Sequence, residues 1–190
     1  MIKKIKNQNG FSLAETLLAV LILLLVSVIV ANGVPAAQSA YEKVVLGANA
    51  KVLLSTTISA LRDELATATK VKVATDNKTI TYYSADKGAT SEIYIELENN
   101  VPVIRLKEYS SVNPTDFSGG TTIYTDNVRN LVSEKAATGD LFVTYDSIDN
   151  YTVGDESITI KGLKVGRQSN PNAELATADL TIRFIIPAEA

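Results

Sequence analysis

Residues 11–31 form a run of 21 positions in which only four side chains are polar: Ser12, Glu15, Thr16 and Ser27. At about 1.5 Å per residue, a helix of this length spans roughly 30 Å, which is the thickness of the hydrocarbon core of a bilayer. Lysines at positions 3, 4 and 6 precede the run, and positive charge beside a first span keeps that end cytoplasmic. The sequence therefore predicts a single-pass membrane protein whose remaining residues lie outside the cell.

Glu15 is unusual in such a run, because an ionised side chain costs roughly 2.5–3.5 kcal/mol at the centre of a membrane helix. A cleaved secretory signal is one alternative, with small-residue cut sites within residues 34–40. Its apolar region is shorter, about 7–15 residues, and it does not account for the carboxylate. A second alternative is a carboxylate that extends back to the lipid headgroups.

The stretch KKIKNQNG, followed by FSLAETLLAVLILL, resembles the class III signal of type IV prepilins and type II secretion pseudopilins. In that family a short basic leader ends in glycine, and cleavage comes before the apolar run. The first mature residue is methylated, and a glutamate stands at the fifth mature position. The resemblance therefore assigns cleavage to the bond between Gly10 and Phe11, N-methylation to Phe11 and subunit assembly to Glu15. Ala14 departs from the bulkier residue that is more frequent in this motif.

Cleavage after Gly10 places a positive α-amine on Phe11, one helical turn from Glu15. The resemblance implies that Glu15 of one subunit meets the Phe11 amine of a neighbour in a filament core. Removing one partner of a buried ion pair costs about 3–5 kcal/mol, so such a pair can set axial register. The implied partners are a prepilin peptidase and methylase, sibling pilins, a platform membrane protein and a cytoplasmic assembly ATPase.

Gly33 and Pro35 follow the apolar run and predict a helix break, because proline removes one backbone hydrogen bond. Two interpretations are open. The family resemblance implies local unwinding as a subunit leaves the bilayer, whereas the simpler interpretation is the end of the membrane helix.

Residues 35–70 predict an amphipathic stem helix with apolar residues at spacings of three and four. The expected buried stripe has a small phase slip in its middle. It contains Tyr41, Val45, Ala48 and Val52, followed by Leu54, Ile58, Leu61 and Leu65.

After residue 70 the apolar period changes from 3.6 to 2, which predicts a β-rich head over residues 71–190. The expected strands are residues 70–75, 78–84, 92–98, 101–109, 140–146, 157–165 and 178–186. The first four form two hairpins around Asp-Asn and Asn-Asn turns, and Pro102 predicts an edge position or a bulge. The expected fold class is α+β, with a long N-terminal helix packed on a largely antiparallel sheet. The domains are a leader (1–10), a transmembrane and polymerisation helix (11–34), the stem (35–70) and the head (71–190).

The composition offers little for catalysis, because the chain contains no histidine and no cysteine. No glycine-rich phosphate loop follows a strand, and we expect no cofactor and no enzymatic activity. The residues after the stem begins are mildly acidic, which argues against nucleic acid as a partner. Asp146, Asp149 and Asp155 supply oxygen ligands for a weak calcium hypothesis, although the loop lacks EF-hand spacing.

The leading hypothesis is a structural subunit of a type IV pilus-like filament, a minor pilin or pseudopilin rather than a major one. The absence of cysteine and the short lysine-rich leader suggest a Gram-positive-like source. The alternative is a membrane-anchored extracellular binding or adhesin domain that does not polymerise. An exported enzyme or lipoprotein-like domain is the third class, and the chain lacks the catalytic histidine and the lipobox cysteine that these would use. The processing motif separates the first class from the others, because a simple anchor needs neither Gly10 nor Glu15.

Overall fold

The computed structural model of the chain describes residues 12–109, 128–132, 140–149, 151 and 155–185. Within those residues the chain has one helix and nine strands, which confirms the α+β class. It divides into two compact units, Met1–Val45 and Leu46–Ala190. The elements are α1 (Leu13–Leu65), β1 (Ala68–Val73), β2 (Ile80–Ser84), β3 (Ala89–Glu98), β4 (Val101–Tyr109), β5 (Val128–Asn130), β6 (Leu141–Thr144), β7 (Ser147–Ile148), β8 (Ser157–Arg167) and β9 (Ala176–Arg183).

Helix α1 continues through Gly33 and Pro35, so the predicted helix break is absent from the isolated chain, and the helix does not end there. Proline removes only the hydrogen bond that its own N–H would have made to the Ala31 carbonyl. Alanines at positions 31, 36 and 37 flank the site, and alanine is the strongest helix former. Unwinding at this point during assembly remains a prediction.

The stem, residues 46–65, buries a different stripe from the predicted one at its start. Tyr41 is 71% exposed and Val52 is 63% exposed, so neither residue belongs to the buried stripe. Leu61 and Leu65 lie on the face of the helix that packs on the head. Residues three or four positions apart share a helix face, so this face continues back to Leu53 rather than to Val52. Adjacent helical residues point about 100° apart, so the slip turns Val52 outward. The buried residues of α1 are Ala50, Leu53, Leu54, Thr57, Leu61 and Leu65.

The stem also ends earlier than predicted, at Leu65 instead of residue 70. The N–H of Ala66 donates to Arg62 O at 2.8 Å, and the following backbone groups bond to strands. Ala66 O accepts from the N–H of Ile185, and Thr67 O accepts from the N–H of Ala85. Long-range strand pairing therefore overrides helix propensity in residues 66–70.

The first sheet has the order β1-β2-β3-β4-β5, and each neighbouring pair is antiparallel. Both predicted hairpins are present. Asn99 and Asn100 both have positive φ, 50° and 67°, which is the backbone of a two-residue hairpin turn. Pro102 pairs with Leu97 of β3, while β5 pairs only farther along β4. Among the described strands, none pairs with β4 on its other side at Pro102, which fits the predicted edge position.

The second sheet contains β6 to β9, with β8 antiparallel to each of the other three strands. The sequence analysis predicted a single sheet, whereas the described strands form two separate sheets. The predicted strand at residues 140–146 is β6, and the chain then forms a separate short strand, β7. A bulge in β8 centres on Gly162, whose φ is +62° and whose N–H donates to Asp179 Oδ1 at 2.8 Å.

Both sheets contribute to one hydrophobic core with the stem, and the turn between β1 and β2 joins them. The carbonyl of Asn77 accepts from the N–H of Ile148 at 2.8 Å. The next carbonyl, of Lys78, accepts from the hydroxyl of Tyr145 at 2.6 Å, and that tyrosine is buried. The core therefore includes residues from the stem and from both sheets, such as Leu61, Ile93 and Ile160.

Candidate assembly site at the start of the membrane helix

Ser12 and Glu15 form a reciprocal capping box at the N-terminus of α1. The N–H of Ser12 donates to Glu15 Oε2 at 2.9 Å, and the N–H of Glu15 donates to Ser12 Oγ at 3.3 Å. The Glu15 carboxylate thus satisfies the N–H of Ser12, while the N–H of Glu15 also donates to Ser12 O at 2.9 Å. The positive end of the helix dipole also favours a carboxylate in the first turn. The structure therefore places Glu15 at the end of the helix, where part of its charge is compensated.

The other polar side chains of the apolar run bond back to the helix itself. Thr16 Oγ1 donates to Leu13 O at 2.9 Å, and Ser27 Oγ donates to Leu23 O at 2.8 Å. These hydroxyls therefore present little unpaired polarity to lipid. Among the described residues of the run, Glu15 is the one charged side chain.

Helix α1 is long and apolar enough to cross a membrane, by length and composition, and none of its most apolar window is buried. More than half of the surface of each large apolar side chain in this segment is exposed. They are Leu13, Leu17, Leu18, Val20, Leu21, Ile22, Leu23, Leu24, Leu25, Val26, Val28, Ile29 and Val30. Exposed apolar surface on this scale requires lipid or other helices around it. Gly10 and Phe11, the predicted cleavage and methylation positions, lie outside the described residues.

The calcium hypothesis receives no support from the described part of the chain. Asp146 Oδ1 is 2.7 Å from Lys164 Nζ, and Asp149 Oδ1 is 2.8 Å from Lys161 Nζ. Each of these two carboxylates is therefore paired with a lysine ammonium group. Among the described residues no group of three acidic side chains is arranged to hold a metal ion.

Sequence reasoning did not identify a charged cluster between the stem and the first sheet. Glu64, on α1, accepts from Tyr82 OH at 3.0 Å, Lys87 Nζ at 2.7 Å and Arg129 Nη2 at 2.8 Å. Lys87 Nζ also donates to Glu108 at 3.0 Å. Burial opposes ionisation of Glu64, but Lys87, Tyr82 and Arg129 outweigh it and hold the pKa of the carboxyl below its ordinary value. These bonds connect the stem to the first sheet. The cluster contains no nucleophile with an adjacent base.

A groove of about 360 Å³ lies beside β4 and β6 in the head. Leu53, Ile104 and Phe142 contribute apolar wall, and Glu98 and Gln168 contribute polar groups. These residue types do not include a nucleophile with an adjacent base, so the groove does not suggest a hydrolytic site.

Comparison with known proteins identifies the N-terminal segment. Residues 5–31 match the family model described as the prokaryotic N-terminal methylation motif. This motif is a class III prepilin signal, so the N-terminal segment of the chain is similar to that of prepilins. The signal is the one that defines type IV pilins and pseudopilins, so the resemblance inferred from the sequence is confirmed. Searches of the curated proteins and of the solved structures give no significant match.

The motif and the apolar helix together support anchoring in a membrane. The matched segment includes Gly10, Phe11, Ser12 and Glu15. Sequence reasoning identified the glutamate but missed Ser12, although the spacing Ser-x-x-Glu before an apolar run is itself a capping-box signal.

Proposed function

We propose that the chain is a structural subunit, a minor pilin or pseudopilin, of a type IV pilus-like filament. The methylation motif over residues 5–31 is the observation that carries this proposal. A prepilin peptidase removes residues 1–10, Phe11 becomes the methylated N-terminus, and α1 packs with the helices of sibling subunits. A platform membrane protein and an assembly ATPase drive extraction from the membrane. Before assembly the N-terminus is cytoplasmic and the head is outside.

The physical role of Glu15 follows from its position in the first turn of α1. In the water-free core of a filament, its carboxylate accepts the charged α-amine of a neighbouring subunit. The pair forms only at one axial offset between the two helices, so it selects register as well as adding stability. The exposed apolar side chains of α1 supply the remaining contact surface.

The first test determines the mature N-terminus of the full chain, expressed with and without a matched prepilin peptidase, by intact mass and peptide mapping. We expect the loss of residues 1–10 and a methyl group on Phe11 when the peptidase and methylase are present. A chain that stays uncut, or that is cut within residues 34–40, contradicts the proposal.

The second test measures filament assembly by Glu15→Gln, which keeps the size of the side chain and removes its charge. We expect loss of most filaments, because the neighbouring amine is left buried without a counterion, at a cost of about 3–5 kcal/mol. Thr16→Val is the matched control, since Thr16 bonds only within its own helix turn. Equal assembly of both variants would contradict the role of Glu15.

A membrane-anchored binding or adhesin domain that does not polymerise is the second candidate. The large β-rich head favours it, because loops on a rigid scaffold commonly carry binding surfaces. In that case the chain would be processed or anchored but would remain monomeric in the membrane. The assembly test separates the two candidates.

A further inference from the structure

Strand β9 is the outer strand of the second sheet. It pairs with β8, and none of the described strands pairs with its other edge. Just after β9, the N–H of Phe184 donates to Glu156 O on the β8 side, whereas the N–H of Ile185 donates to Ala66 O on the opposite side. The backbone groups of successive residues point to alternate edges of a strand, so the odd-numbered residues of β9 direct theirs to the unpaired edge.

Two other strand edges of the head carry features that discourage the addition of a further strand. The first is Pro102, in the part of β4 that no described strand covers, and the second is the bulge in β1 at Lys70, whose φ is 52°. Strand β9 has eight residues without proline or lysine, and the bulge of its ladder lies in β8. A long, regular edge of this kind is a template for pairing with another chain.

The sequence of β9 is complementary to itself when two copies run antiparallel. With Thr181 opposite Thr181 of the second copy, Asp179 of each copy lies opposite Arg183 of the other. On the apolar face, Leu180 of each copy lies opposite Ile182 of the other. Opposite charges and apolar side chains at directly opposed positions stabilise antiparallel strands. The partner that fits this edge is therefore a second copy of the same strand.

The backbone and the side chains favour the same register. Asp179, Thr181 and Arg183 are exposed, and they are also the residues whose backbone groups point to the unpaired edge. Each opposed pair can thus exchange both of its hydrogen bonds. The guanidinium of Arg183 makes no hydrogen bond or ion pair with another described residue. Asp179 Oδ1 accepts the N–H of Gly162, and the charge of the carboxylate remains at the exposed edge.

We propose that the free edge of β9 is a self-association surface, on which the head of a second copy adds its own β9 in antiparallel orientation about a two-fold axis. The second sheet then continues from one head into the other. Such a contact is isologous, whereas the contacts within a helical filament are heterologous. It therefore goes beyond the proposed function and does not depend on it, since an anchored domain that forms no filaments has the same edge.

A single cysteine tests the centre of the pair, because the chain contains no cysteine of its own. Opposed residues that exchange hydrogen bonds have Cα atoms about 5.5 Å apart, a distance that a disulfide can bridge. The full chain carrying Thr181→Cys is oxidised mildly in detergent, with micelles in large excess over protein, and the covalent dimer is measured by non-reducing electrophoresis. Thr177→Cys is the matched control, since this exposed residue lies roughly 27 Å along the ladder from its counterpart. We expect cross-linking of Thr181→Cys and not of the control.

A charge exchange tests the register. In a Thr181→Cys background, Arg183→Asp or Asp179→Arg alone places like charges opposite each other at both ends of the pair, so cross-linking should slow about ten-fold. A mixture of the two variants, carrying tags of different mass, restores opposite charges at both ends and should form the mixed dimer at the rate of the parent. Neither chain changes on mixing, so recovery in the mixture cannot come from a change in folding.

The proposal is overturned if Thr181→Cys cross-links no faster than Thr177→Cys, or if the mixed dimer forms no faster than the dimers of either charge variant alone. Both results are independent of the proposed function, which the mature N-terminus and filament assembly decide. An uncut chain would contradict the filament role and leave the pairing of β9 as it is.

Discussion

Replacing Glu64 by alanine should destabilise the head, because Glu64 is the acceptor shared by three donors, two from strands of the first sheet and one from its β2–β3 turn. Its side chain is 13% exposed, while those of Lys87 and Arg129 are 32% and 54% exposed. Tyr82, the third donor, is fully buried. The expected loss of stability therefore has two sources: a buried hydroxyl that loses its acceptor, and two partly solvated ion pairs that are removed.

The hydroxyl of Tyr82 dominates the expected loss. A buried donor left without an acceptor costs about 1–3 kcal/mol, whereas partly exposed ion pairs are worth about 0.2–1 kcal/mol each. Lys87 also retains its bond to Glu108. We therefore expect Glu64→Ala to lower the free energy of unfolding by about 2–4 kcal/mol, and Glu64→Gln by about 1 kcal/mol, since its amide oxygen still accepts from Tyr82.

The assay is urea unfolding of the full chain in detergent micelles, followed by near-ultraviolet circular dichroism of the tyrosines. Asp63→Ala is the matched control, because this neighbouring acid on α1 is exposed and should change stability by less than about 0.5 kcal/mol. In the Glu64→Ala background, Tyr82→Phe should recover about 1–2 kcal/mol by removing the unpaired hydroxyl. Further destabilisation by Tyr82→Phe in that background would refute this reasoning.

Two further predictions use the same unfolding assay. Gly162→Ala should cost about 2 kcal/mol, because φ is positive and the new Cβ would collide with the Asp146 carboxylate. Gly47→Ala is helical with nothing within 4 Å and should gain about 0.5–1 kcal/mol, so equal effects of the two glycine variants would contradict this assignment. Burial raises the pKa of Tyr82 and, with a smaller contribution from Asp76, that of Tyr145, so the folded state favours both neutral phenols. Their stabilisation is complete below pH 10, the ordinary tyrosine pKa, and falls above it by up to about 1.4 kcal/mol per pH unit for each group. Tyr82→Phe should make that fall shallower, and an unchanged slope would count against the burial argument.

Local chemistry predicted much of the fold because it acts over a few residues. The pair Asn99-Asn100 marked a hairpin turn, since asparagine tolerates the positive φ that such a turn requires. Pro102 marked an open edge because it lacks an N–H. The apolar run and its basic flank predicted the membrane helix, and the motif around Gly10 and Glu15 predicted the signal.

Features that depend on distant partners were not predictable in this way. The stem stripe was misassigned at Val52, because the phase of a helix is set by the surface on which it packs rather than by its own sequence alone. Strands β5 and β7 contain three and two residues, which is too short for an alternating pattern. The division into two sheets depends on which strands pair with β8. The alternation of apolar and polar residues identifies a strand but does not identify its partner. The Glu64 cluster unites residues up to 65 positions apart.

The turn between β1 and β2 has a mechanical consequence. Its carbonyls at Asn77 and Lys78 bond to the second sheet, while Asp76 Oδ1 accepts the N–H of Lys78 at 2.9 Å and stabilises the bend. Separation of the sheets would therefore expose two backbone acceptors and the buried hydroxyl of Tyr145 together. A force applied to the stem would then meet a head that unfolds as one cooperative unit rather than sheet by sheet.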